Sequence, residues 1–105
     1  MSVIMTLLLN GEPKKMEEYA ASHQDLIRGI ADDAKKHGVL AHRFYGSDDG
    51  KIMVVDEWPD AESFQTFFSG NADKIQPMMA EVGVTSEPEV TFWRKLETYD
   101  EVGWN

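Results

Sequence analysis

The sequence predicts an α+β fold: a four-stranded antiparallel sheet with helices on one face and elements in the order β-α-β-β-α-β. Three observations carry that expectation. Strand-like runs occupy Val3–Leu9, Val39–Tyr45, Lys51–Trp58 and Glu89–Leu96. Segments with helical apolar spacing follow the first and third of these runs. The two middle runs are separated by GSDDG alone, which suits a hairpin loop.

Taken in order, Val3–Leu9 is an apolar run relieved only by Thr6, and Asn10-Gly11 ends it with a strong turn dipeptide. Pro13 suits the first turn of a helix, where its missing N–H is not needed. From there to Lys36 the apolar residues Met16, Tyr19, Ala20, Leu26, Ile27, Ile30, Ala31 and Ala34 recur at helical spacing, so one long helix is expected. Lys35, Lys36 and His37 favour its negative end, and Gly38 supplies the C-cap. After the hairpin, Pro59-Asp60 opens a second helix with Asp60 as N-cap. Gly70-Asn71 breaks that helix, and Pro77 marks a kink or the first turn of a further piece ending near Gly83. Glu89–Leu96 reads as the last strand.

This is the ferredoxin-like, or split βαβ, arrangement, in which right-handed crossovers put both helices on one face. The 105 residues make a single domain, with a core over 3–96 and an acidic, aperiodic tail over 97–105. A hydrophobic content of 42 % argues against disorder. The net charge of −9 argues against a nucleic-acid or anionic-membrane partner, since those surfaces attract Lys and Arg. With no cysteine, disulfides, thiolate metal sites and cysteine nucleophiles are excluded. The opening apolar run is too short to span a bilayer and has neither a basic region before it nor a small-residue cleavage site after it. A cytoplasmic protein is expected.

One feature does not suit a monomer. A sheet with one wet face alternates apolar and polar residues. Here Val3-Ile4-Met5, Leu7-Leu8-Leu9 and Ile52-Met53-Val54-Val55 are apolar on both faces. A second copy of the chain is the expected cover, which predicts a homodimer.

The stretch VVDEWPDAESFQTFF, preceded by the hairpin strand AHRFYG and followed by the broken helix, resembles the antibiotic biosynthesis monooxygenase-like family of the dimeric α+β barrel superfamily. The resemblance covers most of residues 3–96. It implies an aromatic-lined pocket between sheet and helices in each subunit. It also implies one of two uses: oxidation of quinols or aromatic polyketides by O₂ without a bound cofactor, or haem degradation. The haem-degrading branch needs an asparagine in the first strand, a tryptophan on the second helix and a histidine one helix piece later. This sequence has no asparagine in the first strand before Asn10, has Phe67 at the tryptophan position, and has no histidine from Asn71 to Val82. Haem degradation is disfavoured, and no cofactor is expected.

His23, four residues from both Tyr19 and Ile27, falls on the apolar stripe and is a candidate proton acceptor. His42 is the second candidate catalytic residue. It points either at the helices or into the dimer interface, because strand side chains alternate and a one-residue register change reverses them. Facing the helices, the two imidazoles would share a cavity. They do not make a zinc site, which normally needs three protein ligands, so no metal is expected. Trp58, Phe64, Phe67, Phe68 and Trp93 are the candidate substrate-binding residues. Phe64, Phe67 and Phe68 also fit a core-facing helical stripe. Phe92 and Trp93 alternate, so one reaches the cavity and the other the interface. Two readings follow: cofactor-independent oxidation of an aromatic or quinol-type small molecule, or a non-catalytic small-molecule-binding or structural dimer of the same fold.

Overall fold

A computed structural model describes residues 1–104; Asn105, the last residue of the expected tail, lies outside the described residues. The chain runs β1 (Val3–Asn10), α1 (Pro13–Ser22), α2 (Gln24–Lys36), β2 (Ala41–Gly46), β3 (Lys51–Trp58), α3 (Ala61–Gly70), α4 (Ala72–Glu81) and β4 (Glu89–Trp93). The sheet order is β2-β3-β1-β4, with every neighbouring pair antiparallel. This is the expected ferredoxin-like α+β fold, with each expected helical crossover divided in two.

The division of the first crossover overturns the single helix expected over 13–36. At His23 the backbone leaves the helical region (φ −132°, ψ 41°). The Tyr19 carbonyl, which would accept the next helical N–H, instead lies 3.2 Å from the Ser22 hydroxyl and 3.0 Å from the His23 ring. Side-chain competition for backbone acceptors thus ends α1, with no proline or glycine involved.

Other boundaries follow local chemistry. Asp60 caps α3, accepting the Ser63 backbone N–H at 2.7 Å. After α2, Gly38 (φ +97°) donates to Lys35 O and Val39 to Ala34 O. Gly83 (φ +78°) and Val84 repeat that pair of bonds after α4. Both helices therefore end in a Schellman motif, for which glycine is the natural residue. Pro77 sits inside α4 and does not begin it. β2 starts two residues later than expected and β4 stops at Trp93, with no strand or helix over 94–104.

Alternation and register define the two sheet faces. Met5, Leu7, Leu9, Ile52, Val54 and Trp58 face the helices and are buried, with Met5 and Trp58 fully so. Ile4, Leu8, Met53 and Val55 point to the opposite face, together with Tyr45 and Trp93. No helix among the described residues is long and apolar enough to cross a membrane.

Candidate functional site

The β2–β3 register pairs His42 with Asp56 and Phe44 with Val54, which puts His42 and Phe44 on the helix side. Because β2 is an edge strand, the helices cover it poorly. The His42 side chain keeps 38 % of its exposure, while that of Asp56 on the neighbouring strand keeps 4 %. Between sheet and helices lies a cavity of about 520 Å³ that His42, Phe44 and Asp56 line. The rest of its wall is largely apolar and includes Met5, Met16, Met78 and Met79. Unbranched thioether side chains adapt their shape readily, so such a wall tolerates ligands of differing outline.

A short polar chain crosses this apolar face. His42 Nδ1 lies 2.7 Å from Asp56 Oδ1, and the Trp58 indole N–H donates to Asp56 Oδ2 at 2.9 Å. Asp56 and Trp58 are two apart on one strand and so share a face. Trp58 is held in turn by Phe64 and Phe67, whose ring centroids lie 5.8 and 5.5 Å from its own. A buried carboxylate is costly unless each oxygen finds a donor, and here both oxygens have a nitrogen within bonding distance.

The expected site residues divide. Phe64, Phe67 and Phe68 line the cavity, and Phe64 stacks on Phe68 at 5.3 Å. They are core and wall at once: Phe64 and Phe67 are buried, and Phe68 is partly so. Trp58 is entirely buried behind the wall, backing Phe64 and Phe67 and hydrogen-bonded to Asp56.

His23 is not at the cavity. It sits at the α1–α2 junction, its ring stacked on Tyr19 at 4.0 Å, beside a separate surface depression. The helix break that leaves it there removes it from the stripe on which regular helical spacing would place it. Trp93 is not at the cavity either. It pairs with Ile4 on the open face and donates its indole N–H to Thr6 Oγ1 at 2.8 Å. Phe92 takes the inward position and packs edge-on against Phe64. Among the described residues no group of three or more His, Asp or Glu could hold a metal ion.

Asp56 lines the cavity but is not among the expected site residues. Its signal is parity: it shares the alternation of Ile52, Val54 and Trp58, and so belongs to the buried set. The apolar residues on both faces of β3 conceal that parity in the sequence. The methionines of the wall carry no such signal, since they come from three different elements.

Solved structures place this geometry in context. A conserved protein from Methanosarcina mazei Go1 superposes with a TM-score of 0.66 at 18 % identity, covering 91 % of this chain and 94 % of its own. The chain has the fold of the antibiotic biosynthesis monooxygenase-like proteins. One antibiotic biosynthesis monooxygenase matches with a TM-score of 0.64 at 13 % identity, over 90 % of this chain and 99 % of the other. A mutant of SnoaB, a cofactor-independent oxygenase from Streptomyces nogalater, matches with a TM-score of 0.64 at 14 % identity, over 95 % and 98 %. No protein-family model matches the sequence, and no curated protein is similar to it.

Proposed function

We propose that this chain is a single-domain, homodimeric, cofactor-independent monooxygenase of the cytoplasm. It acts on an aromatic or quinol-type small molecule in the inner cavity, with His42 as proton acceptor. The observation that carries this reading is one imidazole, backed by a carboxylate, at the wall of an otherwise largely apolar cavity. A hydroxyarene or ring-activated methylene gives electrons to O₂ far more readily once deprotonated. For a methylene, one proton passes to His42, the carbanion's electron pair reduces O₂, and a C–O bond forms. The peroxide anion takes that proton back from His42, and the resulting hydroperoxide loses water to leave a ketone. The balance is CH₂ + O₂ → C=O + H₂O, which needs no external reductant. Phe64, Phe67 and Phe68 exclude water and offer ring faces for an aromatic substrate.

The dimer is supported by the open sheet face. Ile4, Tyr45 and Trp93 are exposed there beside the partly buried Leu8, Met53 and Val55, an apolar surface that a second sheet would cover.

Oxygen uptake with a panel of quinols and anthrones tests the activity. The expected result is saturable uptake that falls roughly 10²–10⁴-fold in His42→Ala, the usual share of a general base. Binding without uptake would replace catalysis by the small-molecule-binding reading. Neither binding nor uptake would leave a structural dimer.

A further inference from the structure

We propose that Asp56 is a positioning residue that, anchored by Trp58, fixes the tautomer of His42 and presents Nε2 as the proton acceptor of the cavity. The inference deepens the functional reading above and rests on it for its kinetic consequence, but the tautomer itself is independent of any reaction.

The assignment follows from counting donors. The Trp58 indole nitrogen can only donate, so Asp56 Oδ2 must accept. The carboxylate is thereby oriented, and its other oxygen faces His42 Nδ1 at 2.7 Å. An ionised carboxylate only accepts, so Nδ1 carries the hydrogen in both the neutral and the protonated ring. Nε2 is then the nitrogen whose protonation changes, and in the neutral ring it holds the lone pair. The backbone makes this arrangement stiff. His42 and Asp56 are direct cross-strand partners, with short side chains on adjacent strands. Trp58 is fully buried between Phe64 and Phe67, so the anchor has no room to turn.

A purely structural ion pair would meet the buried carboxylate's needs equally well, so the test must read the tautomer. Asp56→Asn supplies it. Trp58 still demands an acceptor, which only the amide oxygen can provide, so the amide NH₂ turns toward His42 Nδ1. That nitrogen must then accept, and the ring hydrogen moves to Nε2. His37 is the internal reference, because its Nδ1 faces only acceptors, the Asp33 carbonyl at 2.9 Å and the Asp33 carboxylate at 3.5 Å.

The experiment is a long-range ¹H–¹⁵N correlation of the imidazoles at alkaline pH, in the wild-type protein and in Asp56→Asn. The expected result is Nδ1–H in wild-type His42 and His37, with a switch to Nε2–H at His42 and none at His37 in the variant. Where an active substrate is found, kcat should fall roughly 10²–10⁴-fold with KM little changed, since the base is present but carries its proton on the wrong nitrogen. An Nε2–H tautomer in wild-type His42 would overturn the proposal, and so would an unchanged tautomer in a folded Asp56→Asn. If the variant does not fold, the wild-type spectrum still decides. Absence of oxygen uptake with the expected tautomers would remove the oxidation reading while leaving the positioning role in place.

Discussion

Gly46, the last residue of β2, lies directly against Pro13, the first residue of α1. A Cβ built on the glycine would stand 2.5 Å from Pro13 Cβ and 2.8 Å from its Cγ. Only a residue without a side chain lets the hairpin end approach the start of the helix this closely. Gly46→Ala must therefore push a rigid ring and the chain behind it. An overpacking cost of about 1–3 kcal/mol is expected, read as a lower midpoint in urea unfolding with an unchanged slope.

Asn71 ties α2 to the α3–α4 junction. Its Nδ2 donates to Asp33 Oδ2 at 2.7 Å and to Phe67 O at 3.0 Å, and the residue is 2 % exposed. Asn71→Ala leaves both acceptors without that donor and should cost about 1–3 kcal/mol. Asn71→Asp places a second carboxylate against Asp33 and should be worse. Equilibrium denaturation of both variants gives the ranking, and equal stabilities would contradict it.

The ring cluster separates packing from recognition. Phe67 touches Trp58 as well as the cavity, so Phe67→Ala should lose about 3–5 kcal/mol. Phe68 is only partly buried, and Phe68→Ala should cost less while enlarging the cavity. Thermal melts check the stability order, and titration with an aromatic ligand checks that the Phe68 variant changes affinity more than fold.

Val55 lies on the open face, on a central strand. In an isologous dimer a charge at this position meets its own copy or an apolar surface, and neither is tolerated. Light scattering should give about twice the 11.9 kDa chain mass for the wild type and the chain mass for Val55→Glu. A folded wild-type monomer at micromolar concentration would contradict the proposed interface.

Asp60 supplies a pH-dependent element. The Ser63 backbone N–H, with its hydroxyl as a further contribution, holds the Asp60 carboxyl below the ordinary carboxylate value. A depressed folded-state pKa means stability that is present above the unfolded value and lost as pH falls through the folded one. Asp60→Asn keeps a capping oxygen but cannot titrate. The wild type should therefore lose its advantage over the variant as pH is lowered through the acid range, which unfolding midpoints at a series of pH values will show. A difference independent of pH would mean that the carboxylate's charge contributes nothing at this cap.

Much of the fold was legible because its signals are local. The Asp60 cap, the turn glycines and the GSDDG hairpin act within a few residues, and the helix caps and hairpin ends they mark lie within one residue of where they are expected. The division at His23 was not legible in that way. Helical spacing runs through it, and only the folded chain shows Ser22 and His23 drawing on the Tyr19 carbonyl.

By itself, the sequence determined the element order, the apolar character of both sheet faces and the ring-rich third helix, all of which depend on periodicity and capping. Only the tertiary structure decided which chemistry those elements bring together. Period-two alternation leaves two choices for every strand side chain, and cross-strand register makes the choice. Register put His42 beside Asp56 at the cavity, turned Phe92 inward and sent Trp93 to the opposite face. His42 and Asp56 lie fourteen residues apart in sequence. The hydrogen bonds that join them to Trp58 exist because two antiparallel strands align them, a relationship no local pattern encodes.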